Sequence, residues 1–152
     1  MERSLVHLTD LPDEILVIIL KKLYNVEILY SMIGANKRLD ALVHDSIFAS
    51  RLTMIRFSSN DSIYPLPDPM LDRFCSEILP KIHRKIKWLD VESSSMERIL
   101  LVANYSNLYG LALYNIDEER AKDLFIGKIF YFDCFNCETN EKYTKKLLIH
   151  PH

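Results

Sequence analysis
Two cysteines and two histidines near the end of the chain are the residues best suited by type and spacing to do chemistry. Cys134-x-x-Cys137 is followed after twelve residues by His150, and one residue later by His152. Tetrahedral zinc takes thiolate and imidazole donors, and the first three positions have workable spacing. The histidine pair does not, because the usual gap is roughly three to five residues. Chain ends also fray and hold ligands poorly. The expectation is therefore no metal at Cys134, Cys137 and His150. A redox use of the two cysteines would need strand–helix–strand surroundings that the segment lacks.

The remaining candidates are weaker. No nucleophile–base arrangement can be read among the five histidines and 21 acidic residues. His44 and His83 each read as surface residues. The basic run "KIHRKIK" at 81–87 could form a phosphate patch, but charge runs are usually solvated rims. Ser93-Ser94-Ser95 stands where a strand gives way to a helix, which suggests capping. Three glycines, Gly34, Gly110 and Gly127, leave no phosphate-cradling loop. Neither an enzyme nor a cofactor is expected.

The totals narrow the classes further. With 152 residues, the chain makes one ordinary domain or two very small ones. A hydrophobic share of 49% is enough for a real core. Net charge of -2 and a pI near 6.2 give no support to nucleic-acid binding. No uncharged apolar run approaches the roughly 18 residues of a membrane span. No long apolar run precedes Asp10, so no signal peptide is expected. Cys75 stands far from the other two cysteines, so three thiols do not make a disulfide framework. A reducing cytoplasmic or nuclear setting follows as the default.

What would position any functional residue is first a set of helices. Pro12 suits a first helical position, and Asp13 and Glu14 then complement the helix dipole. Ile15, Ile18, Ile19 and Leu23 make one apolar stripe, and Leu16 and Leu20 make a second beside it. Asn25 is placed to cap a second helix through Val26, Ile28, Leu29, Met32 and Ile33, ending near Gly34. Asn36 can cap a third, with Leu39, Leu42 and Val43 inward. Leu52 to Phe57 alternates like a strand, and the proline-containing stretch 58–69 reads as a linker. Met70, Phe74, Ile78 and Leu79 form a helical stripe broken at Pro80.

From residue 86 a repeat sets in. Ile86-x-x-Leu89-x-Val91 and Leu108-x-x-Leu111-x-Leu113 share one template, 22 residues apart. Helix-like pieces follow each: Met96, Ile99 and Leu100, then Ala121, Leu124 and Phe125. Strand plus helix at that period is the pattern of leucine-rich repeats; an ordinary strand–helix–strand unit stays open beside it. A looser third copy, Ile129-x-x-Phe132-x-Cys134, is expected to leave "KIFYFDCF" as an open edge strand. The chain from about residue 136 is expected to be loosely held.

Leu11-Pro12-Asp13-Glu14-Ile15-Leu16, with Val26-Glu27-Ile28-Leu29 and Asn36-Lys37-Arg38-Leu39, resembles an F-box. That family has L-P-x-E-[IL]-[IL], then V-[CS]-[KR]-x-W about twenty residues on, closing near an apolar residue such as Phe48. Here Ala35, Asn36 and Leu39 stand where the family has valine, a small residue and tryptophan. The likeness covers residues 8 to about 52, and the whole chain is similar to the leucine-rich-repeat class of F-box proteins. It implies an α+β or mostly α fold in three parts. These are a three-helix F-box bundle at 5–52, a linker with one helix at 53–85, and a repeat-like segment with an irregular tail at 86–152. It also implies a substrate receptor that docks to a Skp-type adaptor, and through it a cullin ubiquitin ligase, and that presents a target protein. On that resemblance Leu11, Pro12, Ile15 and Leu16 would meet the adaptor, with Leu20 beneath them. A stand-alone interaction module remains the alternative.

Overall fold
The computed structural model describes residues 7–116, 130–136 and 145–151. Helix α1, Asp13–Leu20, starts directly after Pro12, whose carbonyl accepts from the amides of Ile15 (3.1 Å) and Leu16 (3.0 Å). Pro12 thus precedes the helix rather than opening it, while Asp13 and Glu14 do occupy its first turn. Helix α2, Asn25–Met32, has no side-chain cap: the Asn25 amide donates instead to the Arg51 carbonyl, 3.0 Å away. Helix α3, Lys37–Val43, is capped as expected, with the Leu39 amide donating to Asn36 Oδ1 at 2.9 Å. A one-turn helix α4, Ser46–Ala49, closes this part and leads through Ser50 straight into strand β1, Arg51–Phe57.

Strand β1 turns back through Asp61, held at φ 59°, and pairs antiparallel with β2, Ile63–Pro65. Helix α5, Asp68–Arg73, then continues without interruption through a wide π-turn at Phe74–Ile78 and helix α6, Leu79–Ile82. The break expected at Pro80 is absent for a local reason. The Leu79 amide reaches back five residues to the Phe74 carbonyl, and this widened turn accommodates a ring that a regular turn would reject.

Strand β3, Trp88–Glu92, helix α7, Met96–Leu101, and strand β4, Gly110–Tyr114, complete one parallel step. Leu89 lies opposite Leu111 and Val91 opposite Leu113, the 22-residue offset of the sequence repeat. Strand β1 pairs parallel to β3 on its other side, Leu52 against Leu89 and Met54 against Val91. Ala49-x-x-Leu52-x-Met54 is therefore a copy of the template upstream of the two visible in sequence. The copy expected downstream takes another form. Strand β5, Phe130–Asn136, does not flank β4; β6, Lys145–Pro151, lies between them and pairs antiparallel to both. The strand order is β2-β1-β3-β4-β6-β5, so the described part of "KIFYFDCF", from Phe130 on, sits at a sheet edge. Lys145–Pro151, inside the tail expected to be loose, pairs within the sheet; the helix-like piece at Ala121, Leu124 and Phe125 lies outside the described residues.

The register draws two rungs across five strands. One runs Leu52, Leu89, Leu111, Ile149, Phe132, and the other Met54, Val91, Leu113, Leu147, Cys134. Leu52, Met54, Leu89, Val91, Leu111 and Leu113 are buried. They join one core with Leu20, Ile28, Leu29, Val43 and Phe48 of the helices. Residues 53–85 supply Leu66, Leu71, Phe74, Ile78, Leu79 and Ile82 to that core. The chain is a mixed helix-and-sheet α+β fold, its helical and sheet portions sharing one interior.

Candidate functional site
The two stripes of α1 part company in the structure. Leu16 and Leu20 are 0% and 1% exposed, and Leu20 belongs to the shared core. Ile15, Ile18 and Ile19, with Leu23 just beyond, are 43%, 59%, 40% and 49% exposed. Pro12 is exposed and Leu11 half-buried at the foot of the same helix. Of the five residues expected to form a docking surface, Leu11, Pro12 and Ile15 are accessible. Leu16 and Leu20 are buried. Ile18, Ile19 and Leu23 belong to the accessible face in their place. A helix with two apolar faces must bury one internally, and here i, i+4 spacing sends Leu16 and Leu20 inward together.

The chain leading into α1 is held from a distance. Leu8–Asp10 form a single 3-10 turn with no buried residue, closed by the His7 amide on Asp10 Oδ2 at 2.9 Å. Arg38, on α3, then gathers it. Its guanidinium donates to the carbonyls of Thr9 and Leu11 and pairs with Asp13 Oδ1 at 2.7 Å. One planar fork thus satisfies two carbonyls that no helix or strand serves, and neutralises a first-turn carboxylate. No spacing rule in the sequence joins positions that lie 25 to 29 residues apart, and Arg38 was not singled out there.

Beside Leu23 the surface continues into a groove of about 340 Å³, walled in part by Tyr24, Val26, Ile55, Phe57, Leu66 and Met70. Its ionisable lining beyond Tyr24 is Glu27 and Arg56, and the Arg56 Nε is engaged by the Pro65 carbonyl at 3.0 Å. Among the described residues no nucleophile–base pair lines it.

On the sheet face away from the core, Asp90 is 3% exposed yet fully engaged. It accepts from Trp88 Nε1 and Thr53 Oγ1, each at 2.9 Å, with Arg51 Nη2 at 3.8 Å. A buried carboxylate needs such partners, and this one reads as architecture. Arg51 also lies over the Trp88 ring, 5.3 Å from its centroid. That ring packs on Gly110 so closely that a Cβ there would stand 2.3 Å from it. Ser93–Ser95 do not cap α7. Glu92 accepts from the Ser94 amide at 2.8 Å and from the Ser94 hydroxyl, organising the turn itself.

Among the described residues no group of three or more histidine, cysteine or acidic side chains could hold a metal. Cys137 and His152 lie outside the described residues. Cys134 pairs with Leu147 and His150 with Tyr131, three register steps apart. His44 is half-buried rather than at the surface, 3.6 Å from Asp40. His83 Nδ1 lies 2.7 Å from the Asn104 carbonyl. No helix among the described residues is long and apolar enough to cross a membrane. In comparisons with known proteins, no protein-family model, no curated protein and no solved structure matches this chain.

Proposed function
We propose that the chain is an F-box-type substrate receptor. Its helical portion would dock to a Skp-type adaptor and through it a cullin, and its sheet portion would present a target protein for ubiquitination. The observation that carries the reading is the accessible apolar face of α1. Ile15, Ile18 and Ile19 stand outward immediately after Leu11-Pro12-Asp13-Glu14, while the helix has already satisfied the core through Leu16 and Leu20. Such a face, at helical spacing, suits a partner's groove. The parallel strands β1, β3 and β4, with a 22-residue step from β3 to β4, support the repeat half of the reading. The chain would contribute proximity, and catalysis would belong to its partners.

Binding of the full chain to purified Skp-type adaptor is the test. The parent is expected to bind, and Ile15→Ser combined with Ile18→Ser is expected to weaken binding by several kcal/mol, since central apolar anchors carry about 2 kcal/mol or more each. Leu11→Ala with Pro12→Ala should act in the same direction. Absence of the adaptor and a cullin from a pull-down of the parent would instead favour a stand-alone interaction module.

A further inference from the structure
We infer that Arg38 is a positioning residue for the docking surface, a latch that holds Leu11-Pro12 in place at the foot of α1; this deepens the adaptor-docking reading and rests on it. The segment from His7 to Pro12 has no buried residue of its own. Its backbone hydrogen bonds close on itself or on the first turn of α1: Asp10 to His7 at 2.9 Å, Leu11 to Leu8 at 3.3 Å, and Ile15 and Leu16 to Pro12. Among the described residues, its polar ties to the rest of the protein come from the Arg38 guanidinium, to the Thr9 and Leu11 carbonyls. The same group joins Asp13, so lead-in and helix are fixed to α3 by one side chain.

The physical logic is preorganisation. A short surface segment without core anchorage samples many conformations, and ordering it on binding costs affinity. Pro12 restricts its own φ, and Arg38 restricts the carbonyls on the two sides of Asp10. Arg38 is itself 41% exposed at its side chain, outside the core, so its loss removes the latch without opening the interior. Lysine cannot replace it: an ammonium on a flexible stem lacks the planar fork that reaches three acceptors at once.

The experiment uses the full chain, the variants Arg38→Ala and Arg38→Lys, purified Skp-type adaptor, and amide exchange. Arg38→Ala is expected to weaken adaptor binding about tenfold or more. Its thermal midpoint should stay near the parent's. Amide exchange at Asp10 and Leu11 should quicken while Leu29, Leu89 and Leu111 keep their protection. Arg38→Lys should recover little of the affinity. A parent that binds and an Arg38→Ala variant that binds equally well overturns the latch and leaves the docking reading standing. Unchanged exchange at Asp10 and Leu11 in the variant also overturns it, whatever the adaptor does. A parent that fails to bind the adaptor removes the docking reading, and the docking role of Arg38 falls with it.

Discussion

Helix α1 and strand β3 are both strongly apolar, yet they use that property differently. In β3 and its neighbour β4, Leu89, Val91, Leu111 and Leu113 are buried, and alternation sends engaged groups such as Asp90 to the other face. In α1 the apolar residues exceed what the interior takes. Of the eleven large hydrophobic residues exposed among those described, seven lie between Leu8 and Ile47. Strands β3 and β4 therefore bury these apolar positions within the fold, whereas α1 leaves an apolar face over. Scattered exposed leucines need no explanation, but a contiguous face on one helix does. The contrast teaches where to look for a partner: on the outer side of α1.

The comparison can be broken most forcefully inside α1 itself. Leu16→Ala should destabilise the fold by about 2–5 kcal/mol, the range for deleting a buried leucine side chain. Ile18→Ala, two positions on and 59% exposed, should change stability by no more than about 0.5 kcal/mol. Urea unfolding followed by circular dichroism measures both. Similar losses at the two positions would mean that the outer face is packed after all, and the argument from surplus would fail.

A second test belongs to the sheet. Gly110 is conformationally ordinary, but Trp88 occupies the space a side chain would need, with ring carbons 2.3 and 2.4 Å from the Cβ position. Gly110→Ala must move the indole, and overpacking of this kind costs about 1–3 kcal/mol. Moving the ring also disturbs its bond to Asp90 and the Arg51 contact. Since Trp88 is the chain's one tryptophan, its fluorescence should shift along with the unfolding midpoint. An unshifted spectrum and midpoint would show a sheet face more forgiving than its packing implies.

Legibility followed the range of the interactions. The step from Leu89 to Leu111 could be read because strand alternation repeats locally and the two copies use similar residues. The copy at Ala49, Leu52 and Met54 is harder to read: a small alanine opens it where the other copies have isoleucine or leucine, and the hairpin and long helix of residues 58–85 separate it from β3. The two stripes of α1 were visible, but both are apolar, so which one faces the core depends on neighbours that periodicity does not name. Pro80 looked like a helix break because the π-turn that absorbs it leaves no residue signature. The insertion of β6 between β4 and β5, like the reach of Arg38 to Thr9 and Leu11, is a choice of distant partners. Local pattern carries little about such choices.

The gentlest test concerns the packing around α7. Tyr105 is half-buried, and its hydroxyl donates to the Ile99 carbonyl at 2.6 Å. Burial, and secondarily the nearby Cys75, push its pKa well above the ordinary 10.0. Cys75 is itself raised by burial, with Arg98 opposing and Asp72 assisting. For both groups the folded state holds its proton more tightly than the unfolded chain does. The stability they contribute is fully present below the unfolded values, near 9.0 for the thiol and 10.0 for the phenol, and is lost as pH rises through the folded ones. Tyr105→Phe removes the hydroxyl and its hydrogen bond, worth about 0.5–1.5 kcal/mol at neutral pH. It should also flatten the decline of the unfolding midpoint above pH 10, while the Cys75 share, which begins near 9.0, stays. Midpoints of parent and variant measured from pH 7 to 11 should converge as pH rises. Parallel curves would mean that the phenol ionises as easily in the fold as outside it, and that this corner of the sheet half is wetter than its burial suggests.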